Sequence, residues 1–431
     1  MIYLLLILCI VFLLFVKVTS IQELYSPTFI ASAMIAVGTT IYIAYYNTLQ
    51  KNISLYTVSI IVLSLLALLI GEKVGKVFRK KYNVSSKCYT YILANKGTTF
   101  VVIAFMLVTL ALRIIDARKY VGGFLNIIGI ISHLRHYVMA GEYSVPAYLQ
   151  YMTWIAEVLC YIYVYIYLRN RIICNVKEKI NIIPIVLYAL ISLTGTGRTD
   201  LIKVVIALVS IGLFTLYEKN PYRGISFKTF RKIMLGLLIF GAVFFFIGSL
   251  RAKNSIDSTS NPIFDTVFSY IGAPLYGLDY QFKNHVLSAS PYFGYWTLQE
   301  IYDVIGIEHG ITPPHNLPAF RTVGTGISNI YTSIALPYID YGIIGILISR
   351  FLIGFMFVFL FNRIMVRSPK GYSRFIGLVI LIDLYYALFS YGIADRFKDI
   401  LLYPPGIIRH TILVWLIARF VLRLKFVEIE K

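Results

Sequence analysis

Apolar runs near the length of a bilayer crossing recur along the chain, separated by short polar segments. They predict helical spans at roughly 2–19, 27–46, 53–71, 98–116, 148–168, 181–195, 199–217, 231–250, 329–361, 373–391 and 405–424. The run 329–361 is too long for one simple span. It is expected to open as a short surface helix, break between Pro337 and Gly342, and then cross. The longest polar interval is 251–328, rich in proline and in interleaved Phe, Tyr and Trp, which argues against disorder. A smaller one, 117–147, contains a short amphipathic segment suited to a membrane interface. The stretch 264–283 has a similar pattern.

Composition agrees with a polytopic membrane protein: 58% of residues are hydrophobic and 14% charged, against about 25% charged in soluble domains. The expected architecture is all-α, a single integral domain over 1–431 with about eleven spans (range ten to twelve) and one large outer loop. The net charge of +20 is concentrated in the loops 72–98, 169–180, 218–232 and 362–374 and in the tail. These alternate correctly if all are cytoplasmic, so the excess needs no nucleic acid to explain it. The loops 117–147, 195–199, 251–328 and 392–404 are then outside, as is the N-terminus. That terminus, MIYLLLILCIVFLLFV, lacks a basic leader and reads as a retained span. Four cysteines give neither a disulfide framework nor metal spacing. Within the spans, Lys203, Arg350 and Asp383 are the visible charges. A chain of buried carboxylates, expected of an ion-coupled carrier, is not seen in the sequence.

Candidate chemistry gathers at span ends. Arg198 stands in SLTGTGRTD, where Gly195 and Gly197 permit close backbone approach and Thr194, Thr196 and Thr199 offer hydroxyls before a helix start. That setting suits a phosphate; an interfacial arginine that merely snorkels fits equally well. Arg251 opens the long loop and, alone, is an ordinary anchor; with Arg198 it makes two guanidiniums for one dianionic group. His315, in TPPHNLPAFRTVGTG, is either a solvated loop histidine or a general base, with Arg321 six residues on. Asp257, Asp265, Asp279, Glu300, Asp303 and Glu308 are alternative bases. Zinc-hydrolase, serine-hydrolase and nucleotide-loop motifs do not occur. The 35 tyrosines fit interfacial belts; some on the outer loops are placed to stack on sugars.

Three stretches carry a resemblance: TGTGRTD, SYIGAPLYGLDYQF and NIYTSIALPYIDYGIIGILISRFLIGFMF. Over residues 190–365 the chain resembles the oligosaccharide repeat-unit polymerases, the O-antigen polymerase (Wzy-type) group; the first half matches only in its pattern of spans. The resemblance implies a fold similar to O-antigen ligases and membrane-embedded glycosyltransferases of the GT-C-like kind. It implies transfer of a growing glycan from undecaprenyl pyrophosphate to a new lipid-linked repeat unit at the outer face of a bacterial cytoplasmic membrane. No metal, nucleotide sugar or other cofactor is implied. Arg198 and Arg251 match the family's arginines at those places. His315 with Asn316 resembles the His-Asn pair of the ligases, with different spacing to the next span. Arg321 with Gly324 and Gly326 resembles the Arg-to-Gly motif of the polymerase loop. By this resemblance Arg198, Arg251 and His315 are catalytic. Arg321, Gly195, Gly197, Thr199, Tyr270, Tyr276 and Tyr280 bind substrate. The partners are the lipid-linked oligosaccharide as donor and acceptor, membrane lipid, a chain-length regulator and a flippase. Rival readings are a ligase of the same fold, a flippase and a non-catalytic scaffold.

Overall fold

A computed structural model describes residues 1–19, 25–45, 52–78, 89–121, 142–195, 199–219, 267–285, 292–309, 320–321, 327–328, 331–366, 372–398 and 404–429, with isolated positions between them. The apolar runs within these ranges are helices: α1 (Ile2–Thr19), α2 (Pro27–Ala44), α3 (Leu55–Val77), α4 (Lys96–Val121), α5 (Ala147–Ile173), α6 (Ile183–Leu193), α7 (Thr199–Lys219), α8 (Ala273–Asn284), α9 (Gln299–His309), α10 (Ala335–Val366), α11 (Tyr372–Phe389) and α12 (Pro404–Leu416). Among the described residues seven helices are long and apolar enough to cross a membrane: α1 to α5, α7 and α10. The expected span at 231–250 lies outside the described residues apart from isolated positions, and those expected at 181–195 and 405–424 are shorter helices. Two small antiparallel pairs join strand β1 (Tyr89–Leu93) to β4 (Lys425–Ile429), and β2 (Phe320–Arg321) to β3 (Ile327–Ser328).

The chain divides into two compact units. The first is Met1–Lys80, Tyr222–Asn362 and Leu384–Gly406; the second is Lys81–Pro221, Arg363–Asp383 and Ile407–Lys431.

In the first unit, serines start the helices. Ser26 accepts from the Phe29 amide at the head of α2, where Pro27 needs no partner, and Ser54 does the same for Thr57 in α3. Ser26 also donates to the buried Glu72, whose other oxygen takes Lys76 at 2.6 Å. Glycines set the spacing of α3 and α10. A Cβ on Gly71 would lie 2.0 Å from the Phe351 carbonyl oxygen, and one on Gly354 would lie 2.3 Å from that of Leu68. Such small-residue contacts let helix backbones approach in a membrane, where apolar side chains gain nothing over lipid tails. The break expected in 329–361 is at Gly342, with φ of 65° and ψ of −151° inside α10.

In the second unit the basic segments meet. β1, from the loop 72–98, pairs with β4 of the tail. Asn170, at the end of α5, donates to the Ile92 carbonyl at 2.8 Å and accepts its amide at 3.0 Å. Tyr91 donates to Glu178, and Lys219 donates to the Ile172 carbonyl at 2.7 Å. Glu218 takes Arg169 at 3.2 Å and Arg374 at 2.9 Å. Described residues from all five segments grouped by charge therefore meet at one end of this unit. The other end holds 142–153 and 194–195. At 1.5 Å per residue, Thr153 and Asn170 on α5 are about 25 Å apart along the axis, near the thickness of a hydrocarbon core.

Candidate functional site

The span end that carries TGTGRTD is organised by an arginine from another helix. Arg113 lies two turns before the end of α4, half-buried. Its Nε donates to Thr194 Oγ1 and its Nη1 to Thr153 Oγ1, both at 2.9 Å. Each hydroxyl spends its own hydrogen on a backbone carbonyl: Thr194 on Ile191 and Thr153 on Leu149, both at 2.7 Å. Each oxygen is thereby left as an acceptor for the guanidinium. The remaining Nη2 faces Gly195, where a Cβ would stand 3.6 Å from it. Gly195 thus stands beside that edge of the guanidinium.

No carboxylate among the described residues lies within ion-pair distance of Arg113. Asp116, one turn on, is directed elsewhere: Tyr143 donates to it at 2.8 Å, and Lys119 stands at 3.7 Å. Burial first, then the Asp116 carboxylate, pushes the Tyr143 phenol well up, so it remains a donor at neutral pH. The two hydroxyls hold the guanidinium in place, and a fixed planar cation and a helix start in the same unit (α7, from Thr199) are the groups that receive an oxyanion.

Of the residues named from the sequence, Gly195 is at this end of the second unit and Thr199 begins α7. Arg198, Gly197, Arg251 and His315 lie outside the described residues. Arg321 is placed only as backbone in β2, paired with Ile327. In the first unit Tyr270 falls in a π-helical turn, Phe268–Gly272, and is half-buried, as is Tyr280. Tyr276 is buried in α8, 5.9 Å ring to ring from Tyr280. The stretch 264–283, expected to lie on an interface, is thus largely buried where it is described, because Leu275, Leu278 and Asp279 all face inward. Asp279 takes the Ser54 amide and hydroxyl at 2.8 and 2.6 Å, Thr57 at 2.7 Å and Lys283 at 2.6 Å. Burial raises its pKa; hydrogen bonds from Lys283, Ser54 and Thr57 outweigh that and hold the carboxyl below the ordinary range. Arg350 is fully buried between the rings of Tyr391 and Phe397, at 5.3 and 5.5 Å, donating to the Ser333 carbonyl with Asp395 at 3.6 Å.

The expectation of three charges inside the spans is corrected by the second unit. Glu157 is buried midway along α5, with Tyr161 donating to it at 2.8 Å and Lys203 at 3.8 Å. His410 bridges it to Asp383, at 3.7 and 3.0 Å. A lone carboxylate among apolar neighbours barely changes a hydropathy average, which is why the run 148–168 reads as uninterrupted. Arg113 escapes notice for a related reason: at the edge of a run it looks like any interfacial cation. The glycines and threonines of the motif mark its position, but its sequence distance from them hides it.

No family model, curated protein or solved structure matches the chain.

Proposed function

We propose that the protein is a polymerase of lipid-linked oligosaccharide repeat units in a bacterial cytoplasmic membrane, with about eleven spans and an architecture like that of GT-C glycosyltransferases. The observation that carries this reading is Arg113, held by Thr153 and Thr194 with its remaining edge against Gly195, three residues before Arg198. A guanidinium at a span end matches a lipid-linked pyrophosphate, whose charge sits at the membrane surface while its polyprenyl tail stays in hydrocarbon. In the proposed reaction an acceptor sugar hydroxyl attacks the anomeric carbon of the donor. The anomeric C–O bond breaks, and undecaprenyl pyrophosphate leaves with the electron pair. Arg113 and Arg198 stabilise the charge that develops on it. A general base takes the hydroxyl proton, a role the sequence gives to His315.

The test replaces Arg113 or Arg198 by Ala in a strain lacking the native gene, with the surface glycan resolved on a gel. Loss of long chains with a single repeat retained is the expected result. Long chains persisting at normal protein levels reject the reading. Finished chains accumulating on undecaprenyl pyrophosphate in the knockout identify a ligase instead.

A second reading, a carrier of the lipid-linked glycan, draws on the buried Glu157, Lys203, His410 and Asp383. Movement of lipid-linked oligosaccharide into vesicles without chain extension would select it.

A further inference from the structure

At the basic end of the second unit a cavity of about 430 Å³ opens beside the start of α6. Its polar rim is Tyr167, Arg171, Lys177 and Lys179, and its wall includes Ile183 and Val186. The three cations are exposed. Arg171 is fixed by its hydrogen bond to Tyr167, at 2.6 Å one turn back. The acid closest in sequence, Glu178, is committed elsewhere, accepting from Tyr91 and from Asn181. The positive charge of this rim is therefore not cancelled within its own loop.

The wall continues along the helix as an exposed apolar stripe. Ile183, Val186 and Leu190 are 43%, 51% and 42% exposed and lie three and four residues apart, on one face of α6. Solvated lysines of a basic loop would need no such stripe. A cluster of cations directly above side chains that face hydrocarbon matches one kind of ligand in charge and in polarity along its length.

We propose that this cavity binds an anionic phospholipid. Arg171, Lys177 and Lys179 receive the phosphodiester headgroup, and an acyl chain lies along Ile183, Val186 and Leu190. The volume is in the range of small-molecule sites. The site is independent of the proposed polymerase activity and stands or falls separately from it.

The experiment uses the full-length purified protein, stripped of lipid by detergent exchange and titrated with phosphatidylglycerol or phosphatidylcholine of equal chain length. Binding is read by native mass spectrometry. Wild type retains phosphatidylglycerol in preference to phosphatidylcholine, and inorganic phosphate does not compete at equal concentration. The triple variant R171Q/K177Q/K179Q binds phosphatidylglycerol on the order of 100-fold more weakly, since each surface cation contributes roughly fivefold. Lys179→Glu alone, a single exposed change, weakens binding and guards against misfolding of the triple variant. Equal retention of the two lipids, or wild-type binding by either folded variant, overturns the proposal. Full competition by inorganic phosphate also overturns it, reducing the site to a simple anion pocket.

Discussion

Gly71→Ala is the sharpest probe of the first unit, because one methyl group is forced against backbone. The added Cβ falls 2.0 Å from the Phe351 carbonyl oxygen and 2.8 Å from its carbon. An ordinary carbon–oxygen contact is about 3.3 Å, so α3 and α10 must part there by about 1.3 Å. A gap of roughly 1 Å already forfeits up to about half of each dispersion contact along the seam. Overpacking of this kind costs about 3 kcal/mol at the upper end of its usual range. Alanine returns about 1 kcal/mol through helix propensity, leaving a net loss of about 2 kcal/mol. At about 2–4 °C per kcal/mol for a domain-sized unit, the melting temperature drops by about 4–8 °C. The assay is thermal unfolding in one detergent at one scan rate, with Gly212→Ala as control. There the new Cβ meets only Leu168 Cδ1, at 3.9 Å, so the same chemical change leaves stability unchanged or raises it. If Gly71→Ala melts at or above wild type while the control behaves as stated, the close approach of α3 and α10 is wrong.

Three further outcomes follow from the buried polar groups. His410→Ala removes the partner shared by Glu157 and Asp383, at a cost of about 3–5 kcal/mol. Adding Asp383→Asn should recover part of that loss in thermal unfolding, and a double variant no more stable than the single contradicts the pairing. Asn170→Ala leaves the Ile92 amide and carbonyl without their side-chain partner, worth about 1–3 kcal/mol. Limited proteolysis followed by mass spectrometry should then cut near β1 faster than in wild type. Asp279 has a depressed folded pKa. The unfolded chain, titrating near about 3.9, binds the proton more readily, so the contribution of Asp279 is present above that pH and is lost as pH falls through the lower folded value. Asp279→Asn should therefore flatten the fall in melting temperature on the acid side of about pH 4; an unchanged acid limb would refute the assignment.

What could be read from the chain alone were properties that sum over many residues. Hydropathy places α1 to α5 and α7 near their observed bounds, and the break at Gly342 follows from Pro337 and Gly342 within one overlong run. The excess of Lys and Arg groups 72–98 with 169–180, 218–232, 362–374 and the tail, and the β1–β4 pair, Asn170 and Glu218 join parts of the same five segments. Pairwise facts were not legible. Gly71 meets Phe351 across 280 residues of sequence, and Glu157 meets His410 across 253. No local pattern encodes such a partner. Arg113 belongs to the same class: it sits 81 residues from Thr194, and only the motif around Gly195 was visible.

The buried charges bear directly on the choice between an enzyme and a carrier. The sequence argument against a carrier rested on the scarcity of acids within the spans, and Glu157 removes that premise. The geometry supplies a different one. Glu157 has Tyr161, Lys203 and His410 around it, and Asp383 has His410 at 3.0 Å. With His410 protonated, two anions face two cations, and the group is neutral. A coupling site must exchange its ion during the cycle, which here means leaving one carboxylate without its cation in a low-dielectric interior. The arrangement instead ties α5, α7, α11 and α12 together by mutual neutralisation. Arg113 is built the other way: two hydroxyls hold it, no carboxylate among the described residues lies within ion-pair distance of it, and Gly195 stands against its remaining edge. A cation that the fold positions without a direct ion pair among the described residues is suited to an anion from outside. The span end that carries TGTGRTD, rather than the buried acids, is therefore where substrate charge is expected to bind.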